Sequence, residues 1–102
     1  MTPSEHAAKV AELIKSRLGD DFKGHLIVLS DYLNEMEYGE LTGETCGLDF
    51  HRRANLALAT ILQEAGAGEV STVIIEAAAY RKWLGARDNS PAARAEFANL
   101  QA

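Results

Sequence analysis

The stretch Val70-Ser71-Thr72-Val73-Ile74-Ile75-Glu76-Ala77-Ala78-Ala79-Tyr80-Arg81-Lys82-Trp83-Leu84 decides the fold class. Its first half is rich in β-branched residues, which favour a strand, and its second half in alanine, which favours a helix. A strand over 70–75 makes the protein mixed, whereas a helix opened by Ser71 leaves it all-α. Ser71 is placed as an N-cap, Val70 and Ile75 as a hydrophobic staple, and 76–82 continue without a helix breaker. The reading is therefore a helix over 72–84, with a β-strand as its main rival.

The flanking segments read more simply. Upstream, Asp49 caps a helix with the apolar stripe Phe50, Ala54, Ala57, Leu58, Ile61, Leu62 and Ala65, closed by Gly66 and Gly68. Downstream, Asp88-Asn89-Ser90-Pro91 is a turn and helix start leading into a short alanine-rich helix with Phe97 and Leu100 as its large apolar groups. Between Tyr38 and Leu48 the apolar period vanishes and glycines stand at 39, 43 and 47, which predicts an acidic, glycine-rich loop. Before it, Phe22, Leu26, Leu29, Leu33 and Met36 recur at helical spacing and predict a helix over 21–37. Thr2-Pro3-Ser4-Glu5 is a capping box with proline at the first helical position, opening a helix over 3–18 that stops at Gly19. The expected fold is all-α: a single domain over 1–102, a compact bundle of four main helices plus a short C-terminal helix.

The protein has 102 residues, 47% hydrophobic and 25% charged, so disordered and disulfide-scaffold classes are excluded. A net charge of −5 argues against general phosphate-backbone binding, but that charge is local. Ten of the 15 acids fall in 1–51, against Lys9, Lys15, Arg17 and Lys23. Asp31, Glu35, Glu37, Glu40, Glu44 and Asp49 follow one another with no base between them. A solvated polar face accounts for such a run; so does an acidic docking surface for a basic partner, since single-sign fields steer association.

The predicted helix over 72–84 supplies a second candidate surface. Val73, Ala77, Tyr80 and Leu84 form one apolar stripe, and Ile75, Ala79 and Trp83 form another on roughly the opposite side. Such a helix is either buried on both sides or binds with its second face. Trp83 beside two cationic neighbours, Arg81 and Lys82, fits a binding hot spot.

Other constellations carry less. Cys46, His51 and Asp49 superficially match nucleophile, base and orienter, but sequence proximity does not bring a thiol and an imidazole within reach. Asp21 and His25 are four apart, a spacing that suits two metal ligands on one helix, but a site needs three or four; a half-buried histidine paired with an acid explains them better. The glycines at 39, 43 and 47 sit among acids, the wrong sign for a phosphate loop. No metal, cofactor or catalytic group is expected. The longest apolar run, Leu26 to Leu29, is far short of the roughly 20 residues of a membrane span. The opening residues lack the profile of a signal peptide, and a lone cysteine suits a reducing compartment, so a cytoplasmic location is expected.

Residues Leu48 to Leu84 resemble ribbon-helix-helix DNA-binding proteins. The resemblance lies in the extended Glu44-Thr45-Cys46-Gly47-Leu48-Asp49, a helix ending at Gly66, and Ser71 opening a helix that carries Ile74-Ile75-Glu76-Ala77 and Tyr80-Arg81-Lys82. It implies an obligate dimer that places a strand pair in the DNA groove, although the strand here offers Glu44 and Asp49 where that family uses basic or amide side chains. The leading functional expectation is a non-enzymatic protein-binding module of adaptor or inhibitor type. It would use Ile75, Ala79 and Trp83 with the acids Asp31, Glu35, Glu37, Glu40 and Glu44, with a protein partner or itself as a homodimer. The alternative is a dimeric DNA-binding regulator using 48–84, with Arg52, Arg53, Arg81 and Lys82 as contacts.

Overall fold

Thr2 caps helix α1 (Pro3–Leu18) as the sequence predicts. Its hydroxyl accepts the Glu5 N–H at 3.1 Å, and the Glu5 carboxylate accepts the Thr2 N–H at 3.1 Å. The bond from the Thr2 backbone N–H holds the Glu5 carboxyl below its ordinary range, with the Thr2 side chain adding to the effect. The computed structural model describes residues 1–44 and 47–102. Cys46, one member of the nucleophile-like trio, lies outside the described residues.

After α1 come a 3-10 turn (Gly19–Phe22), strand β1 (Ile27–Tyr32), helix α2 (Glu35–Thr42), helix α3 (Leu48–Glu64), strand β2 (Val70–Ile75), helix α4 (Ala77–Leu84) and helix α5 (Pro91–Gln101). The strands pair in parallel as a two-stranded sheet. The expected all-α bundle of four main helices plus a short fifth is thereby corrected. Among the described residues there are five α-helices and a parallel strand pair.

Two of the predicted helices account for the difference. The helix expected over 21–37 does not exist: Leu26, Leu33 and Met36 of its stripe are exposed, at 47%, 54% and 77%, while Ile27, Leu29 and Tyr32 are buried. Gly24, inside that expected helix, has φ of 72°, a left-handed conformation that ends any helix passing through it. The chain then extends, with Ile27 and Leu29 facing inward at the strand period of two. Downstream, the strand reading of 70–75 holds, and the helix begins only at Ala77. Five of the six β2 residues are β-branched, and a paired strand packs such side chains better than a helical first turn does. The predicted loop over 38–48 is also half helix. Asn34 caps α2 by accepting the Glu37 N–H at 2.9 Å, and Gly43 ends it at φ of 81°.

The chain groups into two compact units. The first unit holds Met1–Ile27 and Asp49–Ser71. Its buried side chains are Ala7 and Ala11 of α1, Phe22, Ile27, and Ala54, Leu58 and Leu62 of α3. His6 meets Phe50 edge-on with ring centroids 5.8 Å apart. Backbone bonds from Gly24 N to Gly66 O, Gly68 N to His25 O and Ile27 N to Glu69 O run toward the sheet at 2.9–3.0 Å.

The second unit holds Val28–Leu48 and Thr72–Ala102. Its core joins Tyr32, Leu41, Leu48, Ile75, Ala77, Tyr80, Leu84, Phe97 and Ala98. The C-terminal helix therefore docks: Ser90 caps α5 by accepting the Ala93 N–H at 3.0 Å, and Phe97 packs edge-on against Tyr80 with centroids 5.6 Å apart.

Candidate functional site

The acidic run is put to structural use within the second unit. Glu35 Oε1 accepts the N–H of Leu48, the first residue of α3, at 3.0 Å. Glu37 Oε1 accepts the N–H of Ala77, the first residue of α4, at 2.7 Å. Both carboxylates thus meet helix N-termini, where unpaired N–H groups and the helix dipole favour negative charge. Glu40 pairs with Arg81 of α4 at 2.9 Å. Asp31 lies half-buried in β1, its Oδ1 accepting the Tyr32 N–H at 2.8 Å, and Glu44 is exposed beyond α2.

The second predicted surface is dispersed. Ile75 is 0% exposed and belongs to the core, so it offers nothing to a partner. Ala79 is exposed on α4, and Trp83 is half-buried within its own unit. The Trp83 ring stands 5.3 Å from Phe97 and 6.1 Å from Tyr80, and the Arg87 guanidinium lies 3.9 Å above it. Arg87 also donates to the carbonyls of Leu84 and Trp83 at 3.3 Å, which covers the C-terminal end of α4. The cation over Trp83 is thus Arg87, whereas Arg81, one of the two cations named beside Trp83 in the sequence, pairs with Glu40.

A groove of about 420 Å³ in the second unit is lined by Met36, Glu37 and Glu40 of α2 and by Glu76, Ala77, Ala78 and Arg81 at the start of α4. A separate cleft of about 330 Å³ is lined by Leu41, Tyr80, Arg81, Leu84, Gly85 and Asn89. Arg81, paired with Glu40, lines both.

A polar network lies at the second cleft. Asn89 donates to the Leu41 carbonyl at 2.7 Å, while its Oδ1 accepts from the Tyr80 hydroxyl at 2.8 Å and from Arg94 at 2.7 Å. Arg94 donates to the same carbonyl at 3.0 Å, so the last turn of α2 is anchored from α5. Burial pushes the Tyr80 hydroxyl above its ordinary value, the Arg94 charge partly opposing it. Tyr38 is raised as well, by burial first and then by the Glu44 charge.

The remaining sequence candidates are apart. Asp21 sits in the 3-10 turn and His25 is exposed ahead of β1, so the shared helical face that would have paired them is absent. His51 shares a 3.3 Å hydrogen bond with Asn55. Among the described residues no three His, Cys, Asp or Glu side chains gather as a metal cage. On α3, Arg53 pairs with Asp49 at 3.0 Å, and the helix–helix part of the ribbon-helix-helix resemblance is interrupted by β2. Among the described residues no helix is long and apolar enough to cross a membrane.

The groove was missed because each half is unremarkable alone. Asn34 followed by Glu37 is a capping signature that would have located α2, but nothing in the order of residues reveals that α2 lies along α4. Comparison with family models, with curated proteins and with solved structures gives no match.

Proposed function

We propose that this protein is a small, cytoplasmic, non-enzymatic protein-binding module of adaptor or inhibitor type, and that the α2–α4 groove receives the partner. One observation carries the reading: Met36, at 77% exposure, stands at a groove lined by Ala77 and Ala78 and edged by the carboxylates of Glu37, Glu40 and Glu76. An exposed methionine beside a concave, mostly apolar surface is adaptable contact area, and burying it releases water at little cost in rigidity. The acidic residues of the earlier expectation remain part of this surface only through Glu37 and Glu40. Ile75 and Trp83 drop out as contacts and serve as the support behind it.

The test is site-specific photo-crosslinking in cells that express the protein, with the reactive side chain placed at Ala78 in the groove or at Leu56, exposed on α3. Adducts with another protein from position 78 and none from position 56 are expected. An adduct at twice the 11.1 kDa chain mass identifies the occupant as a second copy. Equal yields from the two positions, or none from 78, reject the groove as the receiving surface.

A further inference from the structure

We infer that α2 is a strap held by polar latches: it opens as one piece while α4 and α5 stay packed together, and it releases the Leu48 and Ala77 N–H groups as it goes. Taken alone, Glu35–Thr42 has little to keep it helical. Eight residues are too few for a stable isolated helix, Gly39 stands inside it, and Glu37 and Glu40 are like charges three positions apart. Its helical state therefore depends on what it touches. Leu41 is the buried side chain of α2, and Tyr38 adds a half-buried ring set edge-on to Tyr32 with centroids 5.1 Å apart.

The other attachments are polar. Glu35 accepts the Leu48 N–H at 3.0 Å, Glu37 the Ala77 N–H at 2.7 Å, and Glu40 pairs with the Arg81 guanidinium at 2.9 Å. The Leu41 carbonyl accepts from Asn89 at 2.7 Å and from Arg94 at 3.0 Å. Each of these bonds reaches from α2 to a group outside it, so each is made only while the helix is in place. The Glu40–Arg81 pair is about half exposed, and water replaces such a pair at small cost. Its neighbours are held differently. Helix α4 buries Ala77, Tyr80 and Leu84, and α5 buries Phe97 and Ala98, with the Phe97 ring against both Tyr80 and Trp83. Local stability follows buried apolar contact, so α2 is the helix of this unit that opens first. Its departure frees Arg81 and uncovers Tyr80 and Leu84, which share a cleft with Leu41.

The experiment is amide hydrogen exchange on the full chain, followed by NMR at low urea under conditions where closing outruns exchange. Tyr38, Gly39, Glu40, Leu41 and Thr42 are expected to share one opening constant, at least about tenfold larger than that of Phe97 and Ala98 and less dependent on urea. The Leu48 and Ala77 amides lie outside α2 but donate to its carboxylates, so they should show the α2 constant. Glu40→Gln should raise that constant about threefold at both ends of the helix, the scale of one exposed ion pair. Exchange of α2 with the constant and urea dependence of Phe97 and Ala98 overturns the inference, because the helix then opens only with the whole unit. A graded series along α2, or a response to Glu40→Gln confined to its nearest neighbours, also overturns it, since either means fraying. An Ala77 amide as slow as that of Ala98 shows that Glu37 is no latch. No partner is present in this experiment, so its outcome is independent of the groove reading.

Discussion

The carboxylate of Glu37 accepts a hydrogen bond from the backbone N–H of Ala77 at 2.7 Å, across a separation of 40 residues, so that a side chain of α2 caps α4. Glu76, the residue at the N-cap position of α4, makes no side-chain cap bond of its own. The two helices are thereby joined through a group that one of them needs and cannot supply.

Replacing Glu37 should therefore unfold α4 from its N-terminus. Glu37→Ala is expected to cost about 1–2 kcal/mol, the scale of a lost charge-assisted cap, and Glu37→Gln about half of that because an acceptor remains. Glu76→Gln should stay within about 0.5 kcal/mol, as a surface change that breaks no bond. Urea denaturation followed by circular dichroism measures all three. A larger loss from Glu76→Gln than from Glu37→Ala would mean that α4 is capped locally.

Alkaline pH should destabilise the second unit through its tyrosines. Tyr80 and Tyr38 both titrate above the ordinary value of 10.0, mainly because burial penalises the phenolate. Below that value both folded and unfolded states keep the proton, and the full stability is present. Above it the unfolded chain ionises first, and stability falls until the folded-state values are passed. Tyr80→Phe should shift the midpoint at neutral pH by about 1 kcal/mol for the lost bond to Asn89, and should flatten the decline above pH 10. Stability curves at pH 8 to 11.5 that run parallel for wild type and Tyr80→Phe would remove Tyr80 from the alkaline transition.

Trp83 should behave as part of a fold. Its contacts with Phe97, Tyr80 and Arg87 tie α4 to α5, so Trp83→Ala is expected to cost about 2–4 kcal/mol and to lower helicity. Thermal melts by circular dichroism test this directly. Unchanged melting combined with loss of crosslinking from position 78 would instead place Trp83 at the partner interface.

At Gly68 the chain passes close to the backbone of Gly24 and His25 in the first unit. A Cβ built there would lie 2.4 Å from the Gly24 carbonyl oxygen and 2.7 Å from its carbon, and backbone moves less readily than a side-chain tip. Gly68→Ala should cost about 1–3 kcal/mol through overpacking, whereas Gly85→Ala, with open space around it but φ of 60°, should cost about 1 kcal/mol. Denaturant midpoints that rank the two in the opposite order would show that the 24–25 segment yields.

Local signals were readable from the residues because their physics is local. The Thr2–Glu5 box fixed the start of α1, Ser90-Pro91 that of α5, and the stripe Ala54, Leu58, Leu62 the inward face of α3. Each depends on groups within one or two turns of each other. The strands were decided differently. Ile27–Tyr32 and Val70–Ile75 each carry enough apolar residues for either period, and pairing across a long crossover settles which one applies. Gly24 was the one local clue against a helix there, and its weight depended on the positive φ that the folded chain imposes.

The same division holds for the candidate site. The sequence by itself determined that the 31–49 segment is acidic and that the 70–84 segment is rich in apolar residues. Only the tertiary structure decided what those properties do. It directs Glu35 and Glu37 at helix ends, pairs Glu40 with Arg81, buries Ile75 and closes Arg87 over Trp83. Charge and hydropathy belong to a residue, but whether a carboxylate faces solvent or a helix terminus depends on segments tens of positions away. That is why the groove lined by α2 and the start of α4 emerges only when the chain is folded.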